Sequence, residues 1–135
     1  MDTLLIEACK TPFNLVTVKW LTEHMDADPK FVDEEGRTAL MAAVQADNKD
    51  IIEYLTKYDI DFNVQEKEYG QTVLHMLAEQ AYDEEIIELF LDRGADPTIK
   101  DKSGKNAMDY AIETHKMIGD YEEVVALLKE NGAKE

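Results

Sequence analysis

The sequence predicts an all-α fold in which pairs of short helices repeat and stack. Two observations support this prediction. Glycine recurs at Gly36, Gly70 and Gly104, each 34 residues from the next. A small polar residue follows each glycine by two positions, and apolar residues follow at the spacing of one helix face. Because self-similarity at a period of this length indicates a repeat architecture, the period fixes the fold class before any single element is considered.

The period divides the chain into four repeats, at about residues 1–32, 33–65, 66–100 and 101–135, which we expect to form one domain. A first helix in each repeat is predicted by residues 3–8, 38–43, 72–77 and 106–111. A second helix is predicted by the apolar residues within 18–21, 52–55, 87–90 and 125–128. Since two short helices cannot bury their apolar faces alone, the repeats are expected to stack on one continuous core.

Start and stop signals border the second helices. Gly94 and Gly132 suit the left-handed conformation that often follows a helix C-terminus, and Asp26 and Asp59 hold the same loop position in the first two repeats. Acidic residues at the helix starts suit the positive end of the helix dipole, so part of the acidity has a structural explanation. The predicted N-caps are Asn14, Asn48, Asp83 and Asp120.

The composition is that of an acidic globular protein. Thirty acidic and 14 basic residues give a net charge of −16, which disfavours nucleic acid and anionic membranes and favours basic partners; the acidity serving solubility alone is the alternative. No apolar run has the length of a spanning helix, and the N-terminus lacks the basic segment of a secretory signal. With Cys9 as the one cysteine, a disulfide framework is excluded, and we expect a cytoplasmic protein.

The repeated pattern resembles the ankyrin repeat, D-x-x-G-x-T-P-L-H-x-A followed by a second helix and G-A-D. Residues 33–43, 69–78 and 101–111 match the first part, and residues 94–96 and 132–133 match the end. The resemblance covers residues 2 to 133. It implies an ankyrin repeat solenoid of stacked helix-turn-helix units with β-turn or hairpin fingers between them.

The sequence departs from the ankyrin pattern in three ways. The proline position holds Ala39, Val73 and Ala107. The connection before Gly70 is one residue longer than in the other repeats. Residues 114–119 lengthen the fourth repeat, either by extending its first helix or by forming a longer loop, and end repeats are often atypical because they cap the stack.

Residues that could perform chemistry have structural explanations, so no catalytic residue, metal site or cofactor is expected. None of the six glycines forms a phosphate-binding loop. Residues 59–63 begin like a calcium loop but lack its later glycine and glutamate. His75 holds the position of the ankyrin histidine, which implies a hydrogen-bonding role in the turns, while His24 and His115 have no partner at metal-ligand spacing. Cys9 is expected to be a buried thiol.

Aromatic and apolar residues of the second helices are expected in the core. These residues are Leu21, Tyr54, Phe90 and Leu128. Trp20 shares the register of Tyr54 and is expected to be buried or half-buried, with exposure in an end repeat as the alternative.

The resemblance implies a concave binding surface formed by the turn tips and the first helices. Tyr69 is the expected anchor for a basic patch of another protein, because tyrosine is enriched at interface hot spots. The expected contact residues are Glu34, Glu35, Arg37, Gln45, Glu68, Tyr69, Gln71, Met76, Glu79, Gln80, Lys102, Ser103, Lys105 and Glu113.

The functional expectation is a monomeric protein-interaction module that is not an enzyme and binds a basic partner. Residues 33–100 hold 17 acidic and 6 basic residues, which favours that partner chemistry. One alternative is a stand-alone inhibitor, such as an immunity protein that blocks a basic toxin or nuclease. Another alternative is a structural fragment of a larger ankyrin scaffold. The two ends of the sequence are expected to be natural termini, which argues against this alternative.

Overall fold

Eight α-helices are present in the computed structural model, which describes residues 2–11, 15–80, 84–116, 122–130 and 132. Within these ranges there is no strand, which confirms the all-α prediction. The helices are α1 (Asp2–Cys9), α2 (Leu15–His24), α3 (Ala39–Gln45), α4 (Lys49–Leu55), α5 (Val73–Glu79), α6 (Glu84–Asp92), α7 (Ala107–Lys116) and α8 (Glu122–Glu130).

The chain divides into two compact units, Met1–Asp61 and Phe62–Glu135, and each contains two helix pairs. In the N-terminal unit, α1 packs on α2 and α3, and α4 packs on the same two helices. In the C-terminal unit, α5 packs on α6 and α7, and α8 likewise packs on both. Each helix therefore contacts its own partner and the matching helix of the adjacent repeat. The expectation that all four repeats form one domain remains a prediction.

Threonine and asparagine side chains start the first helices. The Thr38 hydroxyl accepts the Met41 amide at 3.2 Å, and the Thr72 hydroxyl accepts the His75 amide at 3.4 Å. In the fourth repeat Asn106 and Asp109 bond reciprocally, each side chain accepting the other's amide at 2.9 to 3.0 Å. The recurrence of these residues two positions after each finger glycine therefore reflects helix capping.

The prediction that Asn48 caps a second helix is wrong in its chemistry. Asn48 holds the N-cap position of α4, but its side chain makes no capping hydrogen bond. Its side-chain Nδ2 instead donates to the Thr11 carbonyl oxygen at 3.0 Å. This hydrogen bond ties the α3–α4 turn to the segment after α1. The other three predicted caps, Asn14, Asp83 and Asp120, lie outside the described residues.

Left-handed backbone occurs at most of the predicted loop positions. Asp26 has φ 55°, Gly94 has φ 106° and Gly132 has φ 102°, as predicted. The prediction for Asp59 is wrong, because its φ is not positive. The Ile60 amide donates to the Tyr58 carbonyl across Asp59 at 3.0 Å, so a tighter turn closes this loop.

The fourth repeat is lengthened by its first helix. Helix α7 spans ten residues, whereas α3 and α5 span seven. Residues 114–116 therefore extend the helix, which is one of the two expected outcomes; residues 117–119 lie outside the described part of the chain. The substitutions at the proline position do not shift the helix starts, since Ala39, Val73 and Ala107 each begin a helix.

The core contains the apolar residues that the register predicted. Leu21, Tyr54, Phe90 and Leu128 are all buried. Trp20 of the first repeat is exposed, with 51% of its surface accessible, which is the alternative expected for an end repeat.

Hydroxyl groups around Tyr54 join α2 to α4. The Tyr54 hydroxyl lies 2.8 Å from the Thr22 hydroxyl and 2.9 Å from that of Tyr58, and it donates to Glu23 at 3.3 Å. Burial raises the pKa of Tyr54 to about 12. The phenol therefore stays neutral and joins two repeats of the N-terminal unit through hydrogen bonds.

Replacing Tyr54 by Phe is expected to lower the free energy of unfolding by about 1 kcal/mol, since hydrogen bonds at a buried site are lost while the ring packing remains. Urea denaturation measures the change. Tyr69→Phe is the matched control, because the Tyr69 side chain is exposed. Equal stability of Tyr54→Phe and the control would contradict a role for the hydroxyl cluster.

Candidate binding surface

A carboxylate organises each described turn tip. Asp33 accepts the amides of Glu35 and Arg37 at 2.9 and 2.8 Å. Asp101 accepts the amides of Ser103 and Lys105 at 2.9 and 3.1 Å. Because the carboxylate satisfies amides that would otherwise point into the turn, the tip has a defined backbone conformation.

Glu66 performs this role in the longer turn of the third repeat. Its side chain accepts the amides of Glu68 at 2.8 Å, Tyr69 at 2.9 Å and Gln71 at 3.0 Å. Glu66 is buried, and Gly70 closes the turn by donating to its carbonyl at 2.9 Å. A glutamate reaches across the additional residue, where the other two turns use the shorter aspartate. Sequence reasoning missed Glu66, although an acidic residue opening a turn with one extra residue was the available signal.

Two turn tips of the C-terminal unit are hydrogen-bonded side by side. The Lys102 amide donates to the Tyr69 carbonyl at 2.9 Å. The Gln65 amide group donates to the carbonyls of Gly70 and Lys100 at 2.9 and 3.0 Å. We call residues 65–71 and 100–105 together the finger pair. One backbone hydrogen bond and the Gln65 side chain therefore hold the two tips together.

His75 joins the start of α5 to the finger pair, which confirms its predicted structural role. Its Nδ1 accepts the Thr72 amide at 3.0 Å, so the ring proton lies on Nε2. That nitrogen donates to the Lys105 carbonyl at 2.9 Å. His75 is buried, and the Tyr110 ring packs edge-on against it with centroids 5.7 Å apart. Both ring nitrogens are engaged in structure.

Asp101 is held in its ionised form. Burial opposes ionisation, but hydrogen bonds from Ser103, Tyr110 and Lys105 outweigh that effect and lower the pKa of Asp101 to about 2. The Tyr110 hydroxyl donates to the second carboxylate oxygen, so both oxygens are used. The charge of Asp101 therefore belongs to the architecture of the turn.

Tyr69 projects from the finger pair. It is 61% exposed although its amide and its carbonyl are both hydrogen-bonded within the turns. A hydrogen bond with Glu68 is the main cause of a raised Tyr69 pKa, and the charges of Glu68, Glu66 and Glu79 add to it. The aromatic side chain thus stands on fixed backbone in an acidic environment.

A polar pair links each finger of the C-terminal unit to the end of its first helix. The Gln71 side-chain Nε2 donates to the Glu79 carboxylate at 3.2 Å. In the equivalent pair of the fourth repeat, the Lys105 ammonium lies 2.8 Å from the Glu113 carboxylate. The Thr114 hydroxyl donates to the Glu79 carbonyl at 3.3 Å. These pairs extend the exposed surface from the turn tips onto α5 and α7.

The predicted contact residues divide between the two compact units. The N-terminal unit holds Glu34, Glu35, Arg37 and Gln45, and Arg37 lies 3.4 Å from Glu35. All the others belong to the C-terminal unit. Met76 does not reach the surface, because it is only 3% exposed and packs in the core. The exposed or half-buried residues there are Glu68, Tyr69, Gln71, Glu79, Gln80, Lys102, Ser103, Lys105 and Glu113.

The residues that could in principle react or bind a metal are buried or take part in hydrogen bonds within the fold. Burial raises the pKa of the Cys9 thiol to about 12. Asn63, in the segment with calcium-loop character, accepts the Asp96 amide at 2.8 Å and donates to the Gly94 carbonyl at 3.1 Å. Among the described residues, no group of three or more His, Cys, Asp or Glu is placed to hold a metal ion. In the same part of the chain, every helix is too short or too polar to cross a membrane.

Comparison with known proteins agrees with this geometry. A family model described as ankyrin repeats (3 copies) matches residues 1–66 and 60–135. The chain is an ankyrin repeat protein. Repeats of this family are in general protein–protein interaction modules.

Relatives of this ankyrin chain are much longer proteins. It is 31% identical over 103 residues to the palmitoyltransferase AKR1 of Lachancea kluyveri, covering 75% of this chain and 14% of that protein. It is 40% identical over 70 residues to the human 2-5A-dependent ribonuclease, covering 52% of this chain and 9% of that one. Ankyrin repeat and SAM domain-containing protein 6 of Rattus norvegicus is 33% identical over 93 residues, 67% of this chain and 10% of the relative. The shared part is thus a small share of each relative.

Replacing Gly70 by Ala is expected to destabilise the protein more than replacing Gly104 by Ala. Both glycines have positive φ, 72° and 84°, which costs about 1 kcal/mol for alanine. A Cβ at Gly70 would also lie 3.1 Å from both the amide nitrogen and the Cγ of Lys102, whereas nothing lies within 4 Å at Gly104. Urea denaturation of both variants tests the difference, and equal losses would contradict the close approach of the two fingers.

Acid is expected to weaken the fourth-repeat turn. The pKa of Asp101 is lower in the folded chain than its usual 3.8, so its stabilising effect is complete above about pH 4 and is lost as the pH falls towards about 2. In Asp101→Asn the unfolding free energy should depend less on pH between 4 and 2 than in the parent. Denaturation at several pH values provides the measurement, and identical slopes would refute the assignment.

Proposed function

We propose that this ankyrin repeat protein binds a partner protein with a basic surface through the finger pair and the adjoining ends of α5 and α7. The observation that carries the proposal is Tyr69, an exposed aromatic side chain on hydrogen-bonded backbone. A tyrosine in a fixed position provides a large contact area at a low cost in conformational entropy. The proposed activity is binding alone, without catalysis, in the cytoplasm.

The charges around Tyr69 favour a basic partner. Glu68, Glu79 and Glu113 are exposed. The finger pair also holds four lysines: Lys105 pairs with Glu113, the Lys102 ammonium donates to the Lys67 carbonyl, and Lys67 and Lys100 are exposed. The charges of Glu68, Glu66 and Glu79 all act on Tyr69 and raise its pKa, so the field at the tyrosine itself is acidic and would attract a basic patch.

Residues of the N-terminal unit are proposed to contribute in a similar way. Glu34, Glu35 and Gln45 are exposed, and Arg37 is half-buried. They occupy the repeat positions equivalent to those of the finger pair and of the end of α5. An inhibitor of a basic enzyme is a particular form of this proposal, because the same acidic surface would occlude the enzyme's basic site.

The test is capture of proteins from a lysate of the source cells on the immobilised chain, followed by affinity measurement with the recovered protein. A basic protein released by salt is expected. Tyr69→Ala combined with Glu79→Gln should weaken binding by at least about tenfold. Loss of a catalytic activity of the recovered protein on binding would identify the inhibitor form.

The matched control is Glu53→Gln combined with Glu88→Gln, which removes exposed carboxylates from the second helices α4 and α6. The control should retain the parent affinity at fixed salt. Equal weakening by both sets would show that only the overall charge matters. Unchanged binding of the Tyr69 and Glu79 variant would exclude the finger pair as the contact surface.

A further inference from the structure

The two repeats of the C-terminal unit differ in charge where each finger meets the end of its own first helix. In the fourth repeat the Lys105 ammonium lies 2.8 Å from the Glu113 carboxylate, so that carboxylate is neutralised within the chain. The equivalent residues of the third repeat are Gln71 and Glu79, also eight positions apart. The Gln71 side-chain Nε2 donates to Glu79 at 3.2 Å but brings no positive charge.

Glu79 therefore keeps an exposed negative charge. Its side chain takes part in no ion pair with another residue of the described part of the chain, and its hydrogen bond comes from a neutral side chain. A solvated carboxylate is ordinary at a protein surface and by itself indicates nothing. The neighbouring aromatic side chain is what makes this one informative.

Tyr69 is held in the same hydrogen-bonded turn as the residue that contacts Glu79. The Glu66 carboxylate accepts the amides of Tyr69 and Gln71 at 2.9 and 3.0 Å. The Tyr69 side chain is 61% exposed, and its hydroxyl donates to Glu68, which orients the ring. The pKa of Tyr69 is raised mainly by that hydrogen bond and also by the charge of Glu79. An exposed ring and an exposed, unneutralised carboxylate thus act on each other at this finger.

The fourth repeat shows how this chain satisfies such a pair of groups internally. The Lys105 ammonium lies 5.4 Å from the centre of the Tyr110 ring while it pairs with Glu113 at 2.8 Å. One cation is therefore shared between an aromatic ring and a carboxylate. In the third repeat the ring of Tyr69 and the carboxylate of Glu79 are both present, whereas the finger supplies a glutamine in place of the cation.

The geometry of the cation favours a guanidinium for this role. A guanidinium is planar, stacks on an aromatic face and still directs N–H donors outward in its own plane, so one group can contact both the Tyr69 ring and Glu79. An ammonium is a compact charge that is more strongly hydrated, so it gains less from an exposed ring. Lys105 reaches both of its partners because it belongs to the same finger, and a side chain from another protein has no such tether.

We propose that the partner protein contributes an arginine whose guanidinium stacks on the Tyr69 ring and donates to the Glu79 carboxylate. This inference rests on the proposed function and narrows it, because it names the side chain that the finger pair selects from a basic surface. The selection depends on the ring and on one carboxylate, so it differs from a general attraction between opposite charges.

Two synthetic peptides test the choice of cation. They alternate glycine with either arginine or lysine and are equal in length and charge, and titration calorimetry at fixed salt measures the affinity of each. The parent should bind the arginine peptide at least about tenfold more tightly than the lysine peptide. This measurement requires no knowledge of the natural partner.

Variants of the finger show whether Tyr69 and Glu79 cause the preference. Tyr69→Leu removes the ring and should bring the two affinities to within about twofold of each other. Glu79→Gln removes the charge and should weaken the arginine peptide more than the lysine peptide. Glu88→Gln is the matched control, because it removes an exposed carboxylate from α6 of the same unit and should leave the ratio of the two affinities unchanged. Circular dichroism melts identify any variant that unfolds.

Equal affinity of the parent for the two peptides would overturn the inference, as would failure to bind either peptide. An arginine preference that survives Tyr69→Leu would also overturn it, since the ring would then not select the cation. The proposed function fails by a different observation, namely a captured partner that binds the Tyr69→Ala and Glu79→Gln variant as tightly as the parent. A partner lost from that variant, with peptides that the parent does not distinguish, would retain the proposed function and reject the arginine.

Discussion

The carboxylate at the base of each described turn is the interaction on which the exposed surface of this protein depends. A turn tip has few apolar contacts, so its backbone amides decide whether it has one conformation. In the third repeat Glu66 accepts three of those amides, and Asp33 and Asp101 each accept two in the equivalent turns. A charged acceptor strengthens each bond, which lets a polar tip hold its form next to water.

Polar side chains connect the hydrogen-bonded turns to the helices. His75 connects the amide of Thr72 to the carbonyl of Lys105, so the start of α5 and the next finger are positioned together. The finger pair then presents Tyr69 from backbone that is fixed at both its amide and its carbonyl. The proposed binding therefore uses an exposed side chain on hydrogen-bonded backbone.

The sequence predicted the repeated architecture well because it depends on periodic burial. The glycine period and the apolar register located all eight helices and the core residues Leu21, Tyr54, Phe90 and Leu128. The resemblance to the ankyrin repeat indicated Tyr69, which is exposed because a residue at a turn tip has no core to enter. The prediction that Met76 contacts a partner was wrong. Met76 neighbours predicted surface positions along the first helix, but its side chain is buried in the core.

Local hydrogen-bond choices were harder to predict. Asn48 has both a donor and an acceptor, and only the fold brings the Thr11 carbonyl within its reach. Asp59 avoids left-handed backbone because a tighter turn is available between Tyr58 and Ile60. Glu66 was missed because its partners become neighbours only once the turn has closed. Periodicity reports which side of an element is buried, but it does not report which of several polar partners a side chain selects.

Hydrogen exchange of the Lys102 amide in the parent and in Glu66→Ala tests the central claim most directly. That amide bonds to the Tyr69 carbonyl and makes no bond to Glu66, so it reports on the finger pair as a whole. If the buried carboxylate fixes the turn, Lys102 should exchange slowly in the parent and much faster in the variant. Loss of protection at Gln71 alone, with Lys102 unchanged, would show that the second finger holds its place without the carboxylate and would contradict the account.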